Sequence, residues 1–234
     1  MRLHDPAIVR AEYATDARVR GRSLYEWAVY EGPDPREHAL LALLEARPRR
    51  VLDAGCGTGE FGARAASVLG AEVVGVDQSE RMVELTRARG LEAHVGDVQR
   101  LSFRDGEFDA ASANWMLYHL ADLDLGLSEL ARVLRPGGRL VALLNDEEHL
   151  LEIWGRDELA FADRCEESLR RTFARVERRD VRGAATFATR EALRGYLAAF
   201  ETLHGRDETG LADELAVPLR VRCHNVVLVA ETAA

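Results

Sequence analysis

The sequence predicts an α/β chain: a Rossmann-like, doubly wound, mostly parallel seven-stranded sheet with helices on both faces and an N-terminal helical lid. Three observations predict it. From Arg50 onward, short apolar runs alternate with segments of helical spacing, the pattern of βαβ units. The runs are continuous rather than alternating in polarity, as in a sheet covered on both faces. The first run passes straight into a glycine turn with a helical pattern behind it, which a right-handed crossover requires.

Taken in order, residues 1–47 read as a helical lid, with Leu40, Leu41, Leu43 and Leu44 as an apolar face and Pro48 closing the segment. Residues 48–234 read as one structural unit. Strands are predicted at 51–54, 73–76, 108–113, 140–144 and 226–229, with helices at 61–69, 81–89 and 125–134. Beyond them a long polar helix is expected over 147–171, a strand near 173–181, a helix from Thr189 (its cap) to about Leu203, and a polar loop over 205–213.

Composition narrows the function classes. The net charge is −9, all 31 basic residues are Arg, and they are interspersed with acids, as in Glu177, Arg178, Arg179 and Asp180. A nucleic-acid binder carries a clustered basic excess instead. Cys56, Cys165 and Cys223 are odd in number and far apart, with no metal-ligand spacing, so a reducing compartment and no metal are expected. Asp5 and Pro6 stand where a signal peptide needs an apolar run, and no stretch reaches the ~20 apolar residues of a membrane span. The expectation is a cytoplasmic protein without nucleic-acid or membrane partners, monomeric or homodimeric.

Five motifs stand out. Val51–Glu60 reads VLDAGCGTGE: Gly55, Gly57 and Gly59 permit positive φ and close backbone approach, and the helix behind them offers free N–H groups. The spacing G-x-G-x-G differs from the nicotinamide fingerprint G-x-G-x-x-G. Asp53 also suits a cationic amine better than a pyrophosphate. Asp77 ends the second strand, 18 residues after Gly59, where an acid binds ribose hydroxyls in Rossmann-type sites. Gly96-Asp97-Val98 follows the third strand. Asn114 and Trp115 end the fourth, ahead of Tyr118 and His119; a histidine there is able to take a proton at neutral pH. Arg135-Pro136-Gly137-Gly138 turns a helix into the next strand and carries no chemistry.

Asp53–Gly59 resembles motif I of the class I S-adenosylmethionine-dependent methyltransferases, and the motifs follow one another in that family's order across about residues 45–145, on the small-molecule, UbiE-like (type 11) branch. The resemblance implies that Asp53, Gly55, Cys56, Gly57 and Gly59 cradle the methionine end of the cofactor. It implies Asp77 on the ribose, Gln78 and Met82 near the adenine, Asp97 and Val98 on the adenine edge, and Asn114 near the methyl group. Tyr13 is expected to cover the cofactor, with Arg18, Arg20 or Arg22 paired to its carboxylate, and His119 is the candidate base. The implied activity is methyl transfer to an oxygen or nitrogen, less readily a carbon, of a small metabolite or natural product, leaving S-adenosylhomocysteine. The alternatives are RNA or protein methylation and a cofactor-binding but catalytically silent regulatory subunit; the tetrad Asn-Pro-Pro-Tyr of many amine-directed enzymes is absent, since Trp115 follows Asn114.

Overall fold

A computed structural model describes Tyr13 and residues 23–155, 161–200 and 207–234. The predicted parallel strands form β2 (Arg50–Ala54), β3 (Glu72–Asp77), β4 (Glu92–Val95), β5 (Phe108–Asn114) and β6 (Leu134–Asn145). Two further long strands, β7 (Arg175–Phe187) and β8 (Leu219–Glu231), and a short β1 (Val29–Glu31) complete one sheet in the order β1-β7-β8-β6-β5-β2-β3-β4. The run β6-β5-β2-β3-β4 is parallel, while β8 lies antiparallel between β6 and β7, and β1 pairs antiparallel with β7.

The sheet therefore has eight strands rather than seven, and the lid segment is not helical throughout. The three residues of β1 are too few to show a period, and Val29 and Glu31 are exposed at the sheet's edge. The helices named here are α1 (Leu24–Trp27), α2 (Pro35–Glu45), α3 (Glu60–Leu69), α4 (Glu80–Ala88), α5 (Leu123–Val133), α6 (Leu151–Trp154), α7 (Phe161–Thr172), α8 (Arg190–Ala198) and α9 (Leu211–Glu214). Four starts are written in the sequence as side-chain caps. Asp34, Ser79, Asp122 and Thr189 each accept a hydrogen bond from a backbone N–H in the first turn of α2, α4, α5 and α8.

Three expectations are corrected. The helix over 147–171 is broken: Leu150 (φ +56°) and Gly155 (φ +73°) isolate the single turn α6 from α7, and residues 156–160 lie outside the described set. The Pro-Gly-Gly segment lies within β6, as an irregularity in which 134–139 run opposite only 108–110 of β5. The predicted loop over 205–213 gives way to the helical turn α9 from Leu211. Residues 201–206, into which the helix from Thr189 was expected to run, lie outside the described residues, as do Arg18, Arg20 and Arg22.

The sheet is packed on both faces, as its apolar strands demand. Leu140, Ala142 and Leu144 of β6 face Leu127 and Leu130 of α5 and Leu169 of α7, while Val141 and Leu143 face Leu40 and Leu43 of α2. A third apolar cluster joins Leu24 and Trp27 to Ile153, Leu193, Tyr196 and Cys223. No helix among the described residues is long and apolar enough to cross a membrane.

Candidate functional site

Because β4, β3, β2 and β5 are adjacent and parallel, the turns at their carboxyl ends lie side by side. Chain order reverses between β2 and β5, and open α/β sheets bind ligands at that switch point. Four of the predicted motifs meet there.

Gly55, Gly57 and Gly59 have φ of +67°, +53° and +78°, which only glycine adopts cheaply. Their surroundings differ. A Cβ at Gly55 would stand 2.7 Å from Met116 Cβ, and one at Gly59 2.8 Å from the Thr86 backbone, whereas nothing lies within 4 Å of the position at Gly57. Gly55 and Gly59 are glycines because protein presses on them. Gly57 borders open space, as the cradle of a bound ligand does. A Gly57→Ala protein should keep its thermal midpoint within a few degrees of wild type, yet bind S-adenosylhomocysteine about tenfold to a hundredfold more weakly by calorimetry. Unchanged affinity would place the ligand elsewhere.

Asp77 fastens this loop. Its Oδ2 accepts from the Gly57 N–H at 3.0 Å and its Oδ1 from the Ser79 N–H at 2.9 Å. Burial pushes its pKa up, against these amide bonds. Asp53 lies deeper, 3% exposed, and accepts from Ser112 Oγ at 2.8 Å. Burial, with Asp77 adding to it, moves its carboxyl up to about 7. A cation arriving beside Asp53 would relieve that cost. Cys56 is buried beneath the loop, with its thiol pushed up to about 12, and the Thr86 hydroxyl donates to the Gly57 carbonyl at 3.0 Å.

The outlying predicted residues are placed as follows. Asp97 is exposed and accepts from the Gln99 N–H at 2.9 Å, and Val98 is buried in the core behind it. Gln78 is half-buried at the end of β3. Met82 is fully buried, so in this conformation it presents no surface to a ligand. Asn114 is the orphan: both its Oδ1 and Nδ2 are buried with no hydrogen-bond partner among the described residues. A buried amide without partners costs free energy, and a bound ligand would supply them.

Tyr13 spans this edge. Its carbonyl accepts from Ser79 Oγ at 2.7 Å, next to Asp77, and its hydroxyl lies 2.7 Å from His119 Nε2. His119 is 7% exposed, with the Tyr13 and Tyr118 rings edge-on at 5.3 and 4.5 Å. Trp115 holds φ +50°, a left-handed conformation that costs a bulky residue about 1–2 kcal/mol. Two bonds to β6 hold it there: its N–H donates to the Leu143 carbonyl at 2.7 Å and its Nε1 to Asn145 Oδ1 at 2.8 Å.

Ser79, Thr86, Ser112 and Asn145 were not singled out from sequence. Ser112 alone left a signal, as a small polar residue interrupting an apolar strand. A second polar group, Asp146, Asp180 and His224, comes within metal-ligand reach. However, the two carboxylates face opposite ring nitrogens of His224, at 3.0 and 2.7 Å, and Arg178 already lies 2.6 Å from Asp146. Arg178 supplies the positive charge that a metal would otherwise bring.

Comparison with known proteins bears on this edge. Residues 52–142 match a family described as a methyltransferase domain. The chain is 42% identical over 115 residues to a demethylmenaquinone methyltransferase of Thermus thermophilus, covering 46% of this chain and 52% of that protein. Across the curated relatives it matches, the aligned stretch spans 32% to 52% of their length. Among solved structures, the [4+2]-cyclase SpnF aligns with a TM-score of 0.61 at 21% identity, covering 97% of this chain and 96% of that one. The Burkholderia thailandensis 1,6-didemethyltoxoflavin-N1-methyltransferase, bound to its substrate and S-adenosylhomocysteine, aligns with a TM-score of 0.60 at 20% identity, covering 97% and 88%. At such identities these two likenesses concern the fold.

Proposed function

We propose, for a chain whose residues 52–142 match a methyltransferase domain, that it transfers a methyl group from S-adenosylmethionine to an oxygen or nitrogen of a small molecule. The observation that carries this reading is the open glycine cradle at Gly57 beside the orphan amide of Asn114, on one edge with Asp53 and Asp77. Those residues fit the cofactor: a cradle with room for a ligand, an acid suited to its amine, and an acid suited to its ribose.

S-adenosylmethionine, when bound, supplies a methyl carbon made electrophilic by its sulfonium. The chain's own part is then positional and protolytic. Asp77 holds the Gly57 turn in shape and offers its remaining lone pairs to hydroxyls. Asp53, relieved of its burial cost by an ammonium, fixes the amino-acid end. Asn114 spends its unmet donors and acceptor on the ligand. Tyr13 lies across the edge, excluding water, and its hydroxyl orients His119, which takes the proton released as the acceptor is methylated.

Silent cofactor binding is the competing reading, since the fold is also that of a protein named as a cyclase. The part-buried Tyr13–His119 pair at the end of β5 favours transfer. The net charge of −9, with arginines interspersed among acids, supports a small acceptor over RNA, and the reading keeps the chain cytoplasmic and metal-independent.

Calorimetric titration with S-adenosylhomocysteine tests the site, on wild type, Asp77→Asn and Asp77→Ala. Micromolar binding by wild type, weakened about a hundredfold in Asp77→Ala, is the expected result. A folded wild type that binds none would overturn the reading.

A further inference from the structure

Leu41 and Leu44 of α2 and Val68 of α3 are 55%, 41% and 47% exposed. They sit on two adjoining helices rather than at scattered sites. The middle of α2 has no polar side to give to water. Ala39, Leu40, Ala42 and Leu43 pack on the sheet, which leaves the other two leucines outside, and a helix that is apolar all round is normally covered all round. The ion pair of Arg64 with Glu37, at 2.6 Å, ties α3 to α2. Val68 comes one turn after Arg64, and Leu41 one turn after Glu37. Exposed apolar groups gathered in this way mark an interaction face.

The charges at the two ends of α2 say what covers it. Glu37 and Arg64 stay 42% and 56% exposed in their pair, so Glu37 has room for a second cation. Past the other end, Arg47 and Arg49 are exposed and make no ion pair with a described residue. Arg47 holds φ +46°, just beyond the helix, where glycine sits without strain. Glu37 stands four residues before Leu41 and Arg47 three after Leu44. A second α2 running antiparallel over the first therefore brings leucine onto leucine and Glu37 onto Arg47 at both ends at once. A face that is acidic at one end, basic at the other and apolar between fits itself across a two-fold axis. We propose that α2 and α3 form a homodimer interface, on which a second copy of this chain packs antiparallel across Leu41, Leu44 and Val68. The proposal stands apart from the methyl-transfer reading. With its 11 residues, α2 is about 16 Å long, so two such helices side by side offer a face at the small end of specific interfaces. The dimer is reversible, of micromolar strength, rather than obligate.

Sedimentation velocity of the full-length protein across the micromolar range tests it, with circular dichroism to check folding. Wild type should pass from monomer to dimer as concentration rises. Leu41→Asp, which buries a carboxylate in the contact, should weaken the dimer about tenfold or more. Glu37→Arg and Arg47→Glu should each weaken it about threefold to tenfold by setting like charges opposite one another. The double variant Glu37→Arg/Arg47→Glu should regain wild-type dimerisation within about threefold, a recovery that a merely structural defect would not show. Should a charge variant fail to fold, Leu41→Asp and Leu44→Gln decide the matter. A wild type that stays monomeric throughout, a dimer indifferent to Leu41→Asp, or a folded double variant no better than the single ones would each overturn the proposal. So would a monomer that instead sediments with phosphatidylcholine vesicles, since a lipid surface would then be what the face takes.

Discussion

Asp53→Asn will be more stable than wild type at pH 8 by about 4 kcal/mol, and equal to it near pH 4. The carboxyl is buried and accepts a single side-chain hydrogen bond, from Ser112. Its pKa stands at about 7 in the folded chain against an ordinary value of 3.8, and each unit is worth about 1.4 kcal/mol. Between those two values the folded state holds a proton that the unfolded state has released. Stability therefore falls as pH rises through that window and is flat above it. Asparagine keeps the bond from Ser112 and does not titrate. Urea unfolding of both proteins from pH 4 to pH 8 measures the difference, and parallel curves would refute it. Under the proposed function this cost serves the ligand: an ammonium beside Asp53 would draw the pKa back down, so S-adenosylhomocysteine binding below pH 7 should release a proton, visible as buffer-dependent heat. Asp53→Asn should lose both the proton release and much of the affinity, a stability–function exchange.

His119→Ala should lower kcat by about 10²–10⁴ against whichever acceptor a labelled-methyl screen identifies, with S-adenosylhomocysteine affinity unchanged. The imidazole is nearly buried, between two tyrosine rings, with the Tyr13 hydroxyl 2.7 Å from Nε2. Tyr13→Phe separates proton transfer from packing. It keeps the ring but loses the bond that orients the imidazole, so kcat should fall less than in His119→Ala and its pH dependence should move. A His119→Ala enzyme with wild-type kcat would mean that His119 serves structure alone, and that the acceptor loses its proton to water.

The half of the molecule that holds the candidate cofactor site was readable because its signals are local. β2, β3, β5 and β6 each carry a short apolar run, and β3 and β4 lead into the pairs Asp77-Gln78 and Gly96-Asp97, which suit a turn. The other half is built from distant partners. β1 is three residues held by β7, more than 140 positions later. β7 runs Arg-Val-Glu-Arg-Arg-Asp at its start, and beyond the pairs within that run its charges meet distant groups: Arg178 pairs with Asp146 and Asp163, and Arg179 with Glu45. The long helix expected over 147–171 failed because leucine spacing continues across Gly155 while the backbone does not. Asn145 had no signal at all, since its part in the site exists only through Trp115.

The position of β8 sets an order of assembly. It lies between β6 and β7, so each of those strands lacks its partner on that side until residues 219–231 are in place. On the ribosome, where segments become available from the N-terminus onward, the parallel half with Gly57, Asp77 and Asn114 is available long before β8. The cluster that joins Leu24 and Trp27 to Tyr196 and Cys223 closes only with the last strand. A nascent chain thus has the glycine turn and its acids in hand while the cluster around Leu24 and Tyr196 is still open, and the insertion of β8 is the step that closes that side.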